Sequence, residues 1–223
     1  MYLLRPILGA AAAALLVPQA AQAAALAGLA PCYRSVDEDR RETVPVRGSG
    51  FTPGVTVTVR IDGAVVAEGV TVQTDGTVEG SVLAPYQPRG ERPFMLTVTE
   101  DAQRANTAGA ASRVTALGMR LKPRRANPSR KVRFIGRGFT DTDERIVYAH
   151  YVRGGKLRRT VKLGVAQGLC GRIRVKRRQF PIRNPRVGRW TLQVDNQPTY
   201  SAEPLSVLVR IPIDVKRDYA RRP

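Results

Sequence analysis

The sequence predicts an all-β chain made of two β-sandwich domains in tandem, behind a cleaved export signal. Three observations carry this: apolar and polar residues alternating at period two, turn dipeptides closing those runs at short intervals, and one set of features occurring twice about 90 residues apart. Period two is the mark of a half-buried strand, and short strands with frequent turns and many prolines point to a sandwich.

The chain opens with Arg5 in a short basic stretch, an apolar run over 6–17 and small residues leading to Ala21-Gln22-Ala23. That order is a secretory signal peptide. A membrane span needs about 20 apolar residues, and Pro18, Gln19 and Gln22 interrupt the run first. Cleavage is expected after Ala23, with Ala25 as the second choice. Leu29-Ala30-Pro31-Cys32 imitates a lipobox, but Pro31 stands where a small residue is needed and Cys32 lies too far past the apolar core. No later segment is long and apolar enough to span, so the mature chain is expected to be secreted without a transmembrane segment.

About 200 residues remain, and internal similarity divides them. Val46-Arg47-Gly48-Ser49-Gly50-Phe51-Thr52 recurs as Phe134-Ile135-Gly136-Arg137-Gly138-Phe139-Thr140, an offset of 88 residues. Later in each unit, Phe94-Met95-Leu96-Thr97-Val98 corresponds to Trp190-Thr191-Leu192-Gln193-Val194. A period near 90 fits one immunoglobulin-like sandwich of roughly 100 residues. The expected division is a signal peptide over 1–23, a first domain over 24–117, a second over 118–215 and a basic tail over 216–223.

Within the first unit, residues 55–61 alternate and Asp62-Gly63 supplies a two-residue hairpin turn. Residues 70–73, the turn Asp75-Gly76 and residues 77–83 repeat that pattern. In the second unit, 146–152 and 156–163 flank Gly154-Gly155, while 131–134 and 172–176 alternate cleanly. After the signal peptide, no segment shows helical apolar spacing.

The Gly-x-Gly-Phe-Thr element followed by a Val/Thr-rich strand resembles the first hairpin of bacterial immunoglobulin-like domains of the IPT/TIG kind. The second unit is similar to uncharacterised exported proteins of high-GC Gram-positive bacteria, in keeping with 31 Arg against 6 Lys. The resemblance implies the sandwich fold and a cell-surface or secreted setting, where such domains act as adhesion, spacer or ligand-presenting modules. It brings no catalytic residues, and fold alone does not fix function.

The residues themselves offer little chemistry. His150 is the one histidine, on a strand where it reads as half-exposed, and any His-containing triad has to be built around it. Asp141, Asp143 and Glu144 suggest calcium, which takes about six to eight oxygens, but read better as a solvated loop. Gly48-Ser49-Gly50 precedes a strand, which excludes a dinucleotide phosphate cradle. No catalytic residue, metal or cofactor is expected, and the chain reads as a non-enzyme. Cys32 and Cys170 are the only cysteines. After export an intramolecular disulfide between the units is favoured; separate thiols or a cross-linked dimer remain open.

Charge separates the units. Residues 24–117 hold 9 basic against 11 acidic side chains, net −2, whereas 118–223 hold 27 against 7, net +20. Alternation sends Arg172, Arg174 and Lys176 to one face, and Lys131 with Arg133, and Arg158 with Arg159 and Lys162, are candidates to extend it. Such a field concentrates polyanions. The expected partners are an anionic cell-wall polymer, an acidic polysaccharide or a lipid headgroup surface, with nonspecific nucleic acid as a further partner. Tyr148 and Tyr151 lie on another strand, and the most basic strand has no aromatic until Phe180, which argues against base stacking. Arg153-Gly154-Gly155 reads as a turn, not an RGG element. The expected function is a non-catalytic extracellular binding module, monomeric, with the basic second domain holding the polymer. The alternative is a structural subunit of a surface assembly with no polyanion ligand.

Overall fold

The computed structural model describes residues 23–124, 130–140, 144–203 and 209–216. The signal peptide (all but Ala23), Asp141, Asp143 and the tail beyond Lys216 lie outside them. Among the described residues every regular element is a strand, and the chain is all-β, two immunoglobulin-like sandwiches in tandem.

The first sandwich uses β1 (Ala25–Leu26), β2 (Tyr33–Ser35), β3 (Thr43–Ser49), β4 (Thr56–Ile61), β5 (Ala64–Thr71), β6 (Val78–Leu83), β7 (Glu91–Glu100) and β8 (Thr107–Ala116). A three-stranded sheet, β1-β3-β6, faces a five-stranded sheet, β2-β8-β7-β4-β5. Val44, Val46 and Val78 from the first meet Val57, Val59, Leu96 and Val98 from the second in one buried cluster. Alternation dictates this, because every second residue of each strand turns inward. Asp62-Gly63 closes the β4–β5 hairpin with φ of 50° and 84°, the two positive values a type I′ turn requires. Asp75-Gly76 does something else. It carries the chain from β5 in one sheet to β6 in the other, so the second turn reverses the chain without closing a hairpin.

The second sandwich follows after Leu117 alone. It contains β9 (Gly118–Lys122), β10 (Lys131–Arg137), β11 (Ile146–Arg153), β12 (Lys156–Val165), β13 (Ile173–Arg178), β14 (Gly188–Asp195) and β15 (Val209–Val215). The sheet β13-β10-β9 packs on β12-β11-β14-β15. Phe134, Phe139, Tyr151, Leu163, Trp190 and Leu192 fill the space between them. Phe180 sits edge-on to Tyr151 and Trp190, with centroids at 5.1 and 4.7 Å. Burial pushes the Tyr151 phenol well above its usual range, and its hydroxyl donates to the Gln179 carbonyl at 3.0 Å.

The repeated motif has a packing cause. Phe51 and Phe139 are both buried, 3% and 0% exposed. Each folds back over the glycine three residues earlier. A Cβ on Gly48 would stand 2.9 Å from the Phe51 ring, and one on Gly136 2.8 Å from the Phe139 ring. The second glycine of each motif, Gly50 or Gly138, turns the chain at φ of 80° or 84°. The first glycine of each motif is therefore required by the phenylalanine ring beside it, and the second by its positive φ.

Candidate functional site

The register of the three-stranded sheet brings basic side chains together. Residues facing each other across strands share a face. Lys131 lies opposite Arg178, Arg133 between Lys176 and Lys122, and Ile135 between Arg174 and Arg120. Arg137 continues the central column. Eight cations thus occupy one face, spaced about 4.8 Å across strands and about 6.7 Å along them. The alternate residues Leu121, Val132, Phe134 and Ile173 pack against or within the core. No acidic residue occurs in β9, β10 or β13. Among the described residues none of these eight cations forms an ion pair.

Of the residues expected from sequence, Lys131, Arg133, Arg174 and Lys176 do share this face. Arg120, Lys122, Arg137 and Arg178 join them, and the Met119-Arg120-Leu121-Lys122 alternation was a readable sign of two of these. Three expectations are corrected. Arg158, Arg159 and Lys162 belong to β12, in the opposite sheet. They do not extend the face, because β12 pairs only with β11. Arg172 precedes β13 and is turned to another task. Its Nε donates to Glu91 Oε2 at 2.9 Å and its Nη2 lies 2.6 Å from Oε1, a two-point pairing with the first unit.

Glu91, only 13% exposed at its side chain, also meets Arg113 at 3.3 Å. Two residues before Arg172, Cys170 is bonded to Cys32, the intramolecular bridge favoured from sequence. The intervening Gly171 has φ of 56°, and a Cβ there would collide with the Phe139 backbone. Backbone bonds from Gly138 to the Cys170 carbonyl and from Phe139 to the Gly171 carbonyl hold the same turn. Gly138 in turn rests on Leu117, a Cβ at 138 lying 3.1 Å from the Leu117 Cα. Among the described residues the units meet at the Leu117 peptide, the Cys32–Cys170 disulfide and the Arg172–Glu91 ion pair, all at one end of the second sandwich.

His150 is the third correction. It is buried, 0% exposed, not half-exposed. Residues 196–203 fold over the outer face of β11 and β14 and cover it. Its Nε2 lies 3.1 Å from Asp195 Oδ1 and 3.0 Å from the Gln197 carbonyl, both acceptors, so Nε2 carries the proton. Nδ1 lies 2.9 Å from Thr160 Oγ1. Gln193 donates to Asp195 at 2.9 Å and to the Ser201 carbonyl at 2.8 Å, and Tyr200 leans on the imidazole at 5.9 Å. Thr160, His150 and Asp195 stand in line as a nucleophile, base and orienting acid would. With the histidine and aspartate enclosed, the line ties the covering segment to the outer face of β11 and β14. Among the described residues no three His, Cys, Asp or Glu side chains gather as a metal site.

The fold and this site define a tandem immunoglobulin-like β-sandwich protein with one cationic sheet face. No protein-family model and no curated protein matches the chain. Among solved structures it is similar to a Ca²⁺-stabilised adhesin that helps an Antarctic bacterium bind ice. The identity is 15%, the match covers 86% of this chain and 48% of that one, and the TM-score is 0.37. It is also similar to the Yersinia pseudotuberculosis adhesin InvE, at 14% identity over 89% of this chain and 61% of that one, with TM-score 0.33. The chain thus spans about half to three-fifths of those structures.

Proposed function

We propose that the chain is a non-catalytic extracellular binding module whose β9-β10-β13 face holds a linear anionic polymer of the cell surface. The observation that carries this is the eight-cation face without an acidic residue. An export signal and a disulfide suit an oxidising, extracellular compartment. Ile135 is the one apolar side chain of this face among the paired positions. The face therefore presents no wedge for a lipid bilayer and no aromatic platform for bases. A flexible polyanion lying along β13 meets Arg174, Lys176 and Arg178 at steps of about 6.7 Å.

The test uses the full mature chain and labelled inorganic polyphosphate as probe. For a single-stranded polyanion each neutralised charge contributes about −0.7 to the slope of log K against log salt. The triple variant Arg133→Gln, Arg174→Gln, Lys176→Gln is expected to flatten the slope by about 2 without lowering the melting temperature. The pair Arg158→Gln, Lys162→Gln on the opposite sheet is expected to leave it unchanged. Equal losses from both variants, or affinity indifferent to salt, overturn the reading.

A further inference from the structure

We propose that the chain is a tension-bearing link, in which Cys32–Cys170 carries load past the first unit and the second unit takes that load in shear. The inference rests on connectivity and strand direction and is independent of the ligand.

Consider tension that enters before Cys32 and leaves after Val215. Along the backbone it would cross every strand from β2 to β15. The disulfide offers a shorter covalent path, because Cys32 and Cys170 are 138 residues apart in sequence and their Cα atoms 5.3 Å apart in space. Load therefore passes from Cys32 directly to Cys170. Strands β2 to β12, which include nearly all of the first sandwich, lie inside the closed loop and carry none of it end to end along their backbone. Both sulfurs belong to buried residues, 6% and 2% exposed, which keeps dissolved thiols from the bond.

From Cys170 the load enters β13 at its first residue. Ile173 pairs with Gly136, and β10 continues from there to Arg137, which pairs with Gly118 beside Leu117, so this is the end nearest the first unit. The load leaves from the last residue of β15. Val215 pairs with Gly188, whereas Val209 pairs with Val194, next to Asp195. Asp195 pairs with Tyr148 near the start of β11, where Arg145 donates to the Gly168 carbonyl in the turn that holds Cys170. Val215 is thus at the far end of the sandwich. Tension pulls β13 toward the first unit and β15 away from it, each along its own axis. Antiparallel hydrogen bonds run perpendicular to the strands. The six pairs of β10–β13 and the seven of β14–β15 are therefore loaded side by side, not opened one after another.

The test is single-molecule stretching of the full chain with handles at Ala24 and Lys216. In the oxidised protein the covalent path runs through residues 24–32 and 170–216 and is expected to reach about 190 Å at most. Removing the bridge by Cys32→Ser with Cys170→Ser is expected to release about 480 Å more, from the 138 bridged residues. A second geometry, with handles on the paired residues Ile146 and Val165, peels β11 from β12 one pair at a time and is expected to open at lower force. Full extension of both units in the oxidised chain overturns the bypass. A rupture force no higher than in the peeling geometry overturns the shear path.

Discussion

Removing the disulfide by Cys32→Ala with Cys170→Ala is expected to lower the melting temperature by about 12 °C. The bridge closes a loop of 138 residues. In the chain-entropy treatment that restricts the unfolded chain by about 17 cal/mol/K, or about 5 kcal/mol at room temperature. About 200 ordered residues unfold with an entropy of about 0.4 kcal/mol/K, and the ratio gives the shift. The geometry adds a second expectation. With the bridge intact, unfolding of the first unit alone leaves a chain tied at Cys32 and again at Leu117, so the constraint favours the folded first unit whenever the second is folded. Without the bridge the two units are held by one peptide and the Arg172–Glu91 pair, and their transitions are expected to separate. Scanning calorimetry of the oxidised protein and the variant reads both effects. A shift below about 3 °C, equivalent to about 1 kcal/mol, with unseparated transitions would refute the argument that the bridge constrains both units.

His150→Ala is expected to cost about 3 kcal/mol, because it leaves the enclosed Asp195 carboxylate short of one donor and opens a cavity under residues 196–203; the urea midpoint should fall with little change in slope. Gly171→Ala is expected to cost about 2 kcal/mol or more, since a left-handed residue acquires a Cβ that meets the Phe139 backbone. Because its neighbours are Cys170 and Arg172, oxidised preparations of that variant should also contain titratable thiol, which the parent protein should not.

What could be read from sequence was what depends on neighbours in the chain. The alternation in 131–134 and 172–176 is local, so the strands and their solvent-facing cations were legible. The Gly-x-Gly-Phe-Thr repeat was legible as a repeat, and the buried phenylalanine explains why it recurs. Strand order is not local. Nothing within 156–163 says that this strand pairs with β11 in one sheet while 172–178 pairs with β10 in the other, so Arg158, Arg159 and Lys162 were grouped with the wrong face. Asp75-Gly76 has the composition of a hairpin turn, and only the sheet assignment of its flanks shows that it crosses between sheets. His150 alternates as an outward residue should, and it does face outward. It is buried by residues 196–203, about 45 positions later. Arg172 follows the strand alternation too, but its fate is decided by Glu91, 81 residues earlier. The cysteines were legible for a simpler reason, since a chain with two of them has one intramolecular pairing to make.

The placement of the cations separates three explanations of the charge. If the excess reflected composition alone, acids would be mixed among the cations on both sides of the second sandwich. The sheet β12-β11-β14-β15 also carries exposed cations, Arg158, Arg159 and Lys162 among them, but it opposes Arg189 to Asp214 and encloses Asp195, whereas β9-β10-β13 holds no acid. If the cations served only to keep free strand edges from pairing with other chains, they would be needed on β9 and β13, the outer strands of their sheet. Lys131, Arg133 and Arg137 are on β10, the central strand, which has no free edge to guard. There they stand directly opposite other cations, at Lys131–Arg178, Arg133–Lys176 and Arg133–Lys122. Each such pair costs roughly 0.2–1 kcal/mol. A fold that keeps three of them side by side, while turning Arg172 to the one nearby carboxylate, leaves a surface whose repulsion is relieved when an anion lies across it.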